Sequence, residues 1–349
     1  MSERILMKGN EAMAESAIIA GCRYYFGYPI TPQNDVPEYM SRRMPAVDGV
    51  FLQAESEVAA INMVIGASAA GKRVMTSSSS PGISLKQEGI SYLAGMNLPA
   101  VVANITRAGP GLGDVTTAQS DYFQATRGGG HGDYRTPTFM PGNVQELADM
   151  TVAAFDLADA YRTPVMIIAD ATIGQMMEPI TLPKPTGKVF EKPWALTGAK
   201  GRAKNIVRSL WLYPDPGLPQ NNEQLQKKYA QIEREYRMYE EYKTSDADYL
   251  FVAYGTTARI VREVIGMLRS EGIKAGSFRP KMGWPYPYEE LRACAKGKKF
   301  VLTVEMSYGQ MVDDVRIGMN GDIPVHFYGK AGGVILTTKD IITAFKGYI

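Results

Sequence analysis

Residues 53–82 read QAESEVAAINMVIGASAAGKRVMTSSSSPG, and no other stretch says as much about architecture. Val58–Ala70 is a proline-free run of small and apolar residues of helical length, and Gly71 reads as its C-terminal cap. Arg73–Ser77 follows as a short buried strand, and Pro81-Gly82 opens a second helix from Ile83 onward. Helix, strand and helix packed into one short segment are the repeating unit of an α/β protein.

The same alternation extends in both directions. Tyr24–Gly27, Ala100–Thr106, Pro164–Asp170, Tyr249–Tyr254, Phe300–Glu305 and Val325–Tyr328 read as further strands. Several end in small, glycine-rich or acidic residues, as strands do when they deliver a site at their carboxyl ends. A helix is expected over Gly142–Ala160, with Asn143 as cap and Glu146 three residues later. Near Leu182 the composition shifts to LPKPTGKVFEKPW, a proline-rich linker, and Tyr213–Asn222 (YPDPGLPQNN) is a second extended segment. Leu225, Tyr229, Ile232, Tyr236 and Tyr239 then recur at helical spacing, which predicts one amphipathic helix. The expected organisation is a first domain over 1–184, a proline-rich and helical connector over 185–247, and a second α/β domain over 248–349.

The chain has 349 residues, enough for two cores, and 38 basic against 36 acidic residues leave a net charge of +2. That charge is too small to drive binding to nucleic acid or to anionic lipid. No apolar window reaches membrane-spanning length and Met1–Asn10 lacks a signal-peptide core, so a cytoplasmic location is expected. The two cysteines, Cys22 and Cys294, offer neither zinc spacing nor enough thiolates for an iron–sulfur cluster. Any redox centre is therefore expected on another chain, and no metal site is expected here.

Gly66–Lys72 matches the GxxxxGK of a phosphate-binding loop, but Arg73 stands where a magnesium-holding Ser or Thr belongs. The context is also inverted, with a helix before the loop and a strand after it. Glu57, at the entrance of a helix apolar nearly all round, reads either as a dipole-complementing acid or as a functional buried carboxylate. In Tyr28-Pro-Ile-Thr-Pro32 two prolines stiffen a turn and aim the Thr31 hydroxyl, although a plain turn accounts for them equally. Thr76–Gly82 places hydroxyls and free N–H groups between a strand and a helix, suited to an anion or to simple capping. Arg107, at a strand end beside Gly109-Pro-Gly-Leu-Gly113, suits carboxylate recognition or a surface ion pair. His131 sits in a glycine-rich loop with no assigned role.

Taken in order, YPITP, QAESE-VAAINMVIGASAAG, TSSSSPG and TRAGP resemble the α-type subunit of 2-oxoacid:ferredoxin oxidoreductases. Val252–Val264, Phe278–Pro287 and Val304–Met311 resemble the transketolase C-terminal-type domain of the same subunits, so the resemblance covers the chain. It implies an α/β fold made of a pyrimidine-binding-type domain, doubly wound with a mostly parallel sheet, and that second domain. It implies thiamine diphosphate as cofactor, with Glu57 hydrogen-bonding the aminopyrimidine ring, a task suited to a carboxyl kept protonated by burial. Pro29, Ser79 and Ser80 fall at cofactor-lining positions, and Thr31 and Arg107 at positions that contact the 2-oxoacid.

The resemblance also implies what the chain lacks. No GDG motif for magnesium and diphosphate occurs, so a pyrophosphate-binding β-type subunit is expected to complete the site. A ferredoxin-like iron–sulfur subunit, a γ-type subunit, external ferredoxin and coenzyme A are the other expected partners. Relatives specific for 2-oxoglutarate show YPITPSS and GPSTG. Here Gln33-Asn34 and Leu112 occupy those places, which looks like the branched-chain (3-methyl-2-oxobutanoate, ketoisovalerate) type. 2-Oxoglutarate is the alternative substrate, and a non-catalytic scaffold of the same fold is the alternative role.

Overall fold

The computed structural model describes residues 4–212 and 217–349. The first sheet runs, in spatial order, through Met282–Trp284, Thr138–Phe139, Pro164–Asp170, Ala100–Ala108, Val74–Ser78, Tyr24–Gly27 and Val50–Gln53. All neighbours are parallel except Met282–Trp284, which pairs antiparallel with Thr138–Phe139. Asp114–Thr117 folds back antiparallel on the end of Ala100–Ala108. Pro164–Asp170 and Ala100–Ala108 are buried throughout, as parallel strands covered by helices on both faces must be. The second sheet orders Tyr239–Tyr242, Ala275–Pro280, Tyr249–Val252, Phe300–Glu305 and Val325–Gly329, antiparallel only at its first edge. The expected α/β class with mostly parallel sheets is the fold observed.

Two cores cover the faces of the first sheet. One packs Met13, Tyr25, Met75, Val101 and Phe155. The other joins Ile61, Ile90 and Val102 to Leu250, Phe278 and Met311, so it runs unbroken from the first domain into the second. Polar contacts reinforce that junction. Asp170, at the end of a first-sheet strand, accepts from Thr256 N at 2.8 Å and Thr256 Oγ1 at 2.6 Å, inside the first turn of helix Gly255–Ser270. Burial pushes the Asp170 carboxyl up, and these hydrogen bonds oppose it. Gln119 bonds Tyr254 O, Thr257 Oγ1 and Met306 N.

Gly71 lies at φ +81 just past helix Glu57–Ala69, the capping role expected, and Arg73 pairs with Asp156 and Asp159. Asn143 caps helix Val144–Tyr161 through the Glu146 N–H at 2.8 Å. The amphipathic helix starts and ends earlier than its spacing suggested. It spans Leu218–Glu235 and buries Leu225, Tyr229 and Ile232, whereas Tyr239 is already in a strand, its ring stacked on Phe278. Edge pairing with Ala275–Pro280 outweighs the helical period there. Of the second proline-rich segment, residues 213–216 lie outside the described part, and Leu218–Asn222 are helical rather than extended, with Pro219 in the tolerant first turn.

Candidate active site at the carboxyl ends of the first sheet

Chain order creates the crevice. Tyr24–Gly27 lies between Val50–Gln53, which the chain visits next, and Val74–Ser78, reached afterwards by crossing back. Loops leaving the carboxyl ends diverge at such a switch point, which is where open α/β sheets bind ligands. Residues 28–34 and 79–82 leave there, Glu57 starts the helix after Val50–Gln53, and Arg107 ends the neighbouring strand. The structure thus gathers Pro29, Thr31, Glu57, Ser79, Ser80 and Arg107 at one edge.

Glu57 is buried at the first position of its helix, while Ser56 caps the helix by accepting from Ala59 N at 3.1 Å. The cap is therefore made by the neighbour, and the Glu57 carboxylate has no hydrogen bond or ion pair among the described residues. A Cβ at Gly82 would stand 2.6 Å from Glu57 Oε1 and closer still to Ser78 Oγ, so the missing side chain makes room for both groups. The helix is not apolar-buried all round, as its sequence suggested. Val58 is 44% exposed, Met63 and Ile65 are half-buried, and Leu85 on the adjacent helix Pro81–Gly95 is 54% exposed.

The serine run does not cap its helix: the side chain of Ser80, at the N-cap, makes no capping hydrogen bond. Ser80 sits at φ 22, ψ −81, a region side-chain-bearing residues rarely adopt, and it is held from three sides. Its N–H donates to Asn104 Oδ1 at 2.9 Å, its hydroxyl donates to Asp121 Oδ2 at 2.6 Å, and Arg107 N donates to Ser80 Oγ at 2.9 Å. Burial raises the Asp121 carboxyl, against the pull of Ser80, Asn104 and Arg107. The hydroxyls of Ser78 and Ser79 are buried and unbonded. Ser77 is engaged with Tyr25 at 2.7 Å and Gln33 at 2.5 Å.

Arg107 is buried and spans two loops. Its Nη1 donates to Thr31 O at 3.0 Å and its Nη2 to Leu112 O at 2.8 Å, leaving Nε without a partner. The Thr31 hydroxyl accepts from Asn34 Nδ2 at 3.3 Å. Leu112 is 79% exposed at the tip of the hairpin between Ala100–Ala108 and Asp114–Thr117. Pro29 is exposed at the rim. His131 is exposed too, on a loop whose Gly129 N–H bonds Gln87, on the middle of helix Pro81–Gly95 and away from its N-terminal turn.

Sequence reasoning missed Asp121, Asn104 and Lys86. The first two show no local pattern, since their roles arise from contacts across the sheet. Lys86 was visible in principle, because it falls on the Ile83–Ile90 face of its helix, a core position by spacing. It is fully buried with its ammonium unbonded, and burial lowers it to about 8 while the Glu57 charge works the other way.

A carboxylate, free hydroxyls and an arginine thus lie at the carboxyl ends of a mostly parallel sheet, where open α/β sheets bind ligands. Residues 15–246 match the family model "Pyruvate flavodoxin/ferredoxin oxidoreductase, thiamine diP-binding", and residues 247–341 match "Pyruvate:ferredoxin oxidoreductase core domain II". The chain belongs to the 2-oxoacid:ferredoxin oxidoreductase family, the one its motifs resemble. It is 47% identical to ketoisovalerate oxidoreductase subunit VorB of Methanothermobacter marburgensis, over 98% of this chain and 97% of that one. To 2-oxoglutarate synthase subunit KorA of the same organism it is 36% identical, over 99% and 100%. Among solved structures it matches the 2-oxoglutarate:ferredoxin oxidoreductase of Magnetococcus marinus, with 2-oxoglutarate, coenzyme A and succinyl-CoA bound. The TM-score is 0.88 at 29% identity, covering 99% of this chain and 65% of that one, so this chain spans about two thirds of the solved chain's length. Among the described residues no helix is long and apolar enough to cross a membrane, and no three His, Cys, Asp or Glu side chains are grouped to hold a metal.

Proposed function

We propose that this chain is the pyrimidine-binding subunit of an oxidoreductase that converts 3-methyl-2-oxobutanoate to its acyl-CoA and CO2 with reduction of ferredoxin. The observation that carries the reading is Glu57, a buried carboxylate left unbonded at the switch point beside the side-chain-free Gly82. Unbonded buried polar groups, here the hydroxyls of Ser78 and Ser79, cost stability unless something binds them. Glu57, Ser78 and Ser79 together fit the aminopyrimidine end of thiamine diphosphate, which needs a carboxyl and small hydroxyls rather than a metal. When bound, the cofactor supplies a nucleophilic carbon and an electron sink.

The chain's own residues do the rest. Glu57 shares a proton with the pyrimidine ring and orients it. Ser79 and Pro29 line the cofactor's place, and Ser80 acts there through its hold on Arg107. Arg107, through its free Nε, and Thr31, through its hydroxyl, hold the carboxylate and oxo group of the substrate. Leu112 covers a branched apolar chain, which agrees with the greater identity to the ketoisovalerate subunit than to the 2-oxoglutarate subunit. One leucine discriminates by only ~1–3 kcal/mol.

The diphosphate and magnesium go to a pyrophosphate-binding β-type subunit. That partner covers Val58 and Leu85, apolar residues exposed beside the crevice. Electrons leave through a ferredoxin-like iron–sulfur subunit to external ferredoxin, a γ-type subunit completes the complex, and coenzyme A takes the acyl group. In domain terms, 1–184 is the pyrimidine-binding-type domain, 185–247 the connector and 248–349 the transketolase C-terminal-type domain, with strand Tyr239–Tyr242 of the connector joining the second sheet.

The test is Glu57→Gln in the complex co-expressed with its genomic neighbours. Coenzyme-A-dependent dye reduction is expected to fall by about 10²–10⁴-fold with assembly intact. Unchanged turnover would favour a non-catalytic scaffold.

A further inference from the structure

Among the described residues Lys86 is the only fully buried lysine, and no hydrogen bond or ion pair satisfies its ammonium. It lies on helix Pro81–Gly95, one turn beyond Gly82. Helical side chains lean toward the N-terminus over the preceding turn, so Lys86 is aimed at the turn where Gly82 has no side chain and Glu57 fills the space. Glu57 is the charged group that acts on it. The other ionisable groups of the crevice are committed elsewhere: Asp121 to Ser80 and Asn104, Arg107 to two carbonyls, Tyr25 to Ser77. The two charges do not touch, so their attraction acts through space. Either one buried alone would be strongly unfavourable.

We infer that Lys86 is a positioning residue for Glu57, a buried counter-charge that seats the carboxylate against the first turn of helix Pro81–Gly95. This rests on the reading of Glu57 as the cofactor-facing group. Burial lowers the Lys86 ammonium from the ordinary 10.5 to about 8, and the attraction of Glu57 opposes that fall.

The test uses the assembled complex with Lys86→Met, Glu57→Gln and the double variant. Methionine keeps the unbranched shape while removing the charge. The apparent melting midpoint is expected to drop in each single variant and to recover in the double, because removing both charges leaves neither unpaired. In Lys86→Met the thiamine diphosphate concentration for half-maximal turnover is expected to rise about tenfold or more with KM for the 2-oxoacid unchanged, as a displaced carboxylate no longer meets the cofactor. Additive drops in midpoint together with an unchanged thiamine diphosphate requirement would overturn the inference. Coupled midpoints with full turnover in Glu57→Gln would leave the charge pair standing and remove the reading of Glu57 on which its purpose depends.

Discussion

The guanidinium of Arg107 donates to the carbonyl oxygen of Thr31 at 3.0 Å, across 76 positions of sequence. With its second bond, to Leu112 O, it ties the loop after one strand to the hairpin tip after another. Both loops are thus set by one planar fork, a geometry lysine cannot reproduce. Arg107→Lys is expected to lower kcat/KM by about 10²-fold, in line with an active-site group displaced by roughly 1 Å. Hydrogen exchange of 109–113 should rise in the same variant. Unchanged exchange would show that the hairpin holds itself.

Gly82 is required by its neighbours rather than by its own backbone. A methyl group there would meet Glu57 Oε1 at 2.6 Å and collide with Ser78 Oγ. Gly82→Ala is expected to displace Glu57 and reduce turnover at least tenfold while the complex still assembles. The check is steady-state turnover beside size-exclusion chromatography, and wild-type turnover would place Glu57 away from the chemistry.

Ser80 is held in a strained conformation by Asn104, Asp121 and Arg107. Ser80→Ala keeps the strain and leaves the buried Asp121 and the Arg107 N–H short of a partner. The expected cost is about 1–3 kcal/mol of stability. A raised KM for the 2-oxoacid should accompany it, because Arg107 is shifted. Thermal unfolding and substrate titration read the two effects separately.

Glu146 links the domains by accepting from Arg279 at 2.6 and 2.8 Å, with Lys281 at 2.9 Å. Burial alone would raise its carboxyl, but Arg279 and Lys281 hold it down to about 2, against an ordinary 4.5. Its stabilisation is therefore complete above 4.5 and is lost as pH falls through about 2. The difference corresponds to about 3 kcal/mol. Glu146→Gln is expected to lower the melting midpoint at neutral pH and to flatten its decline between pH 5 and about 2. A variant that declines as steeply as wild type would assign the acid sensitivity elsewhere.

Pro164–Asp170, Phe300–Glu305 and Tyr24–Gly27 occupy the residues their apolar runs indicate, because strands buried on both faces leave an unbroken signature. Thr138–Phe139 and Met282–Trp284 left none. Each is two or three residues long and exists by non-local pairing, Thr138–Phe139 on Pro164–Asp170 and Met282–Trp284 on Thr138–Phe139 across 140 positions or more. Tyr239 kept a helical period yet joined a sheet edge, a tertiary contact overriding a local one. At the site, Glu57, Thr31 and Arg107 stood out because unusual residues sat at element ends. Asp121 and Asn104 look like ordinary loop and strand residues until the fold brings them to Ser80.

The central claim is the reaction and its branched substrate. The direct measurement is anaerobic dye reduction by this chain purified with its co-expressed partners, supplied with thiamine diphosphate, magnesium and coenzyme A. Rates with 3-methyl-2-oxobutanoate, 2-oxoglutarate and pyruvate are compared as kcat/KM. The account predicts coenzyme-A-dependent reduction that is greatest with 3-methyl-2-oxobutanoate. A preference for 2-oxoglutarate would contradict the reading of Leu112, and reduction with none of the three by a fully loaded complex would contradict the account itself.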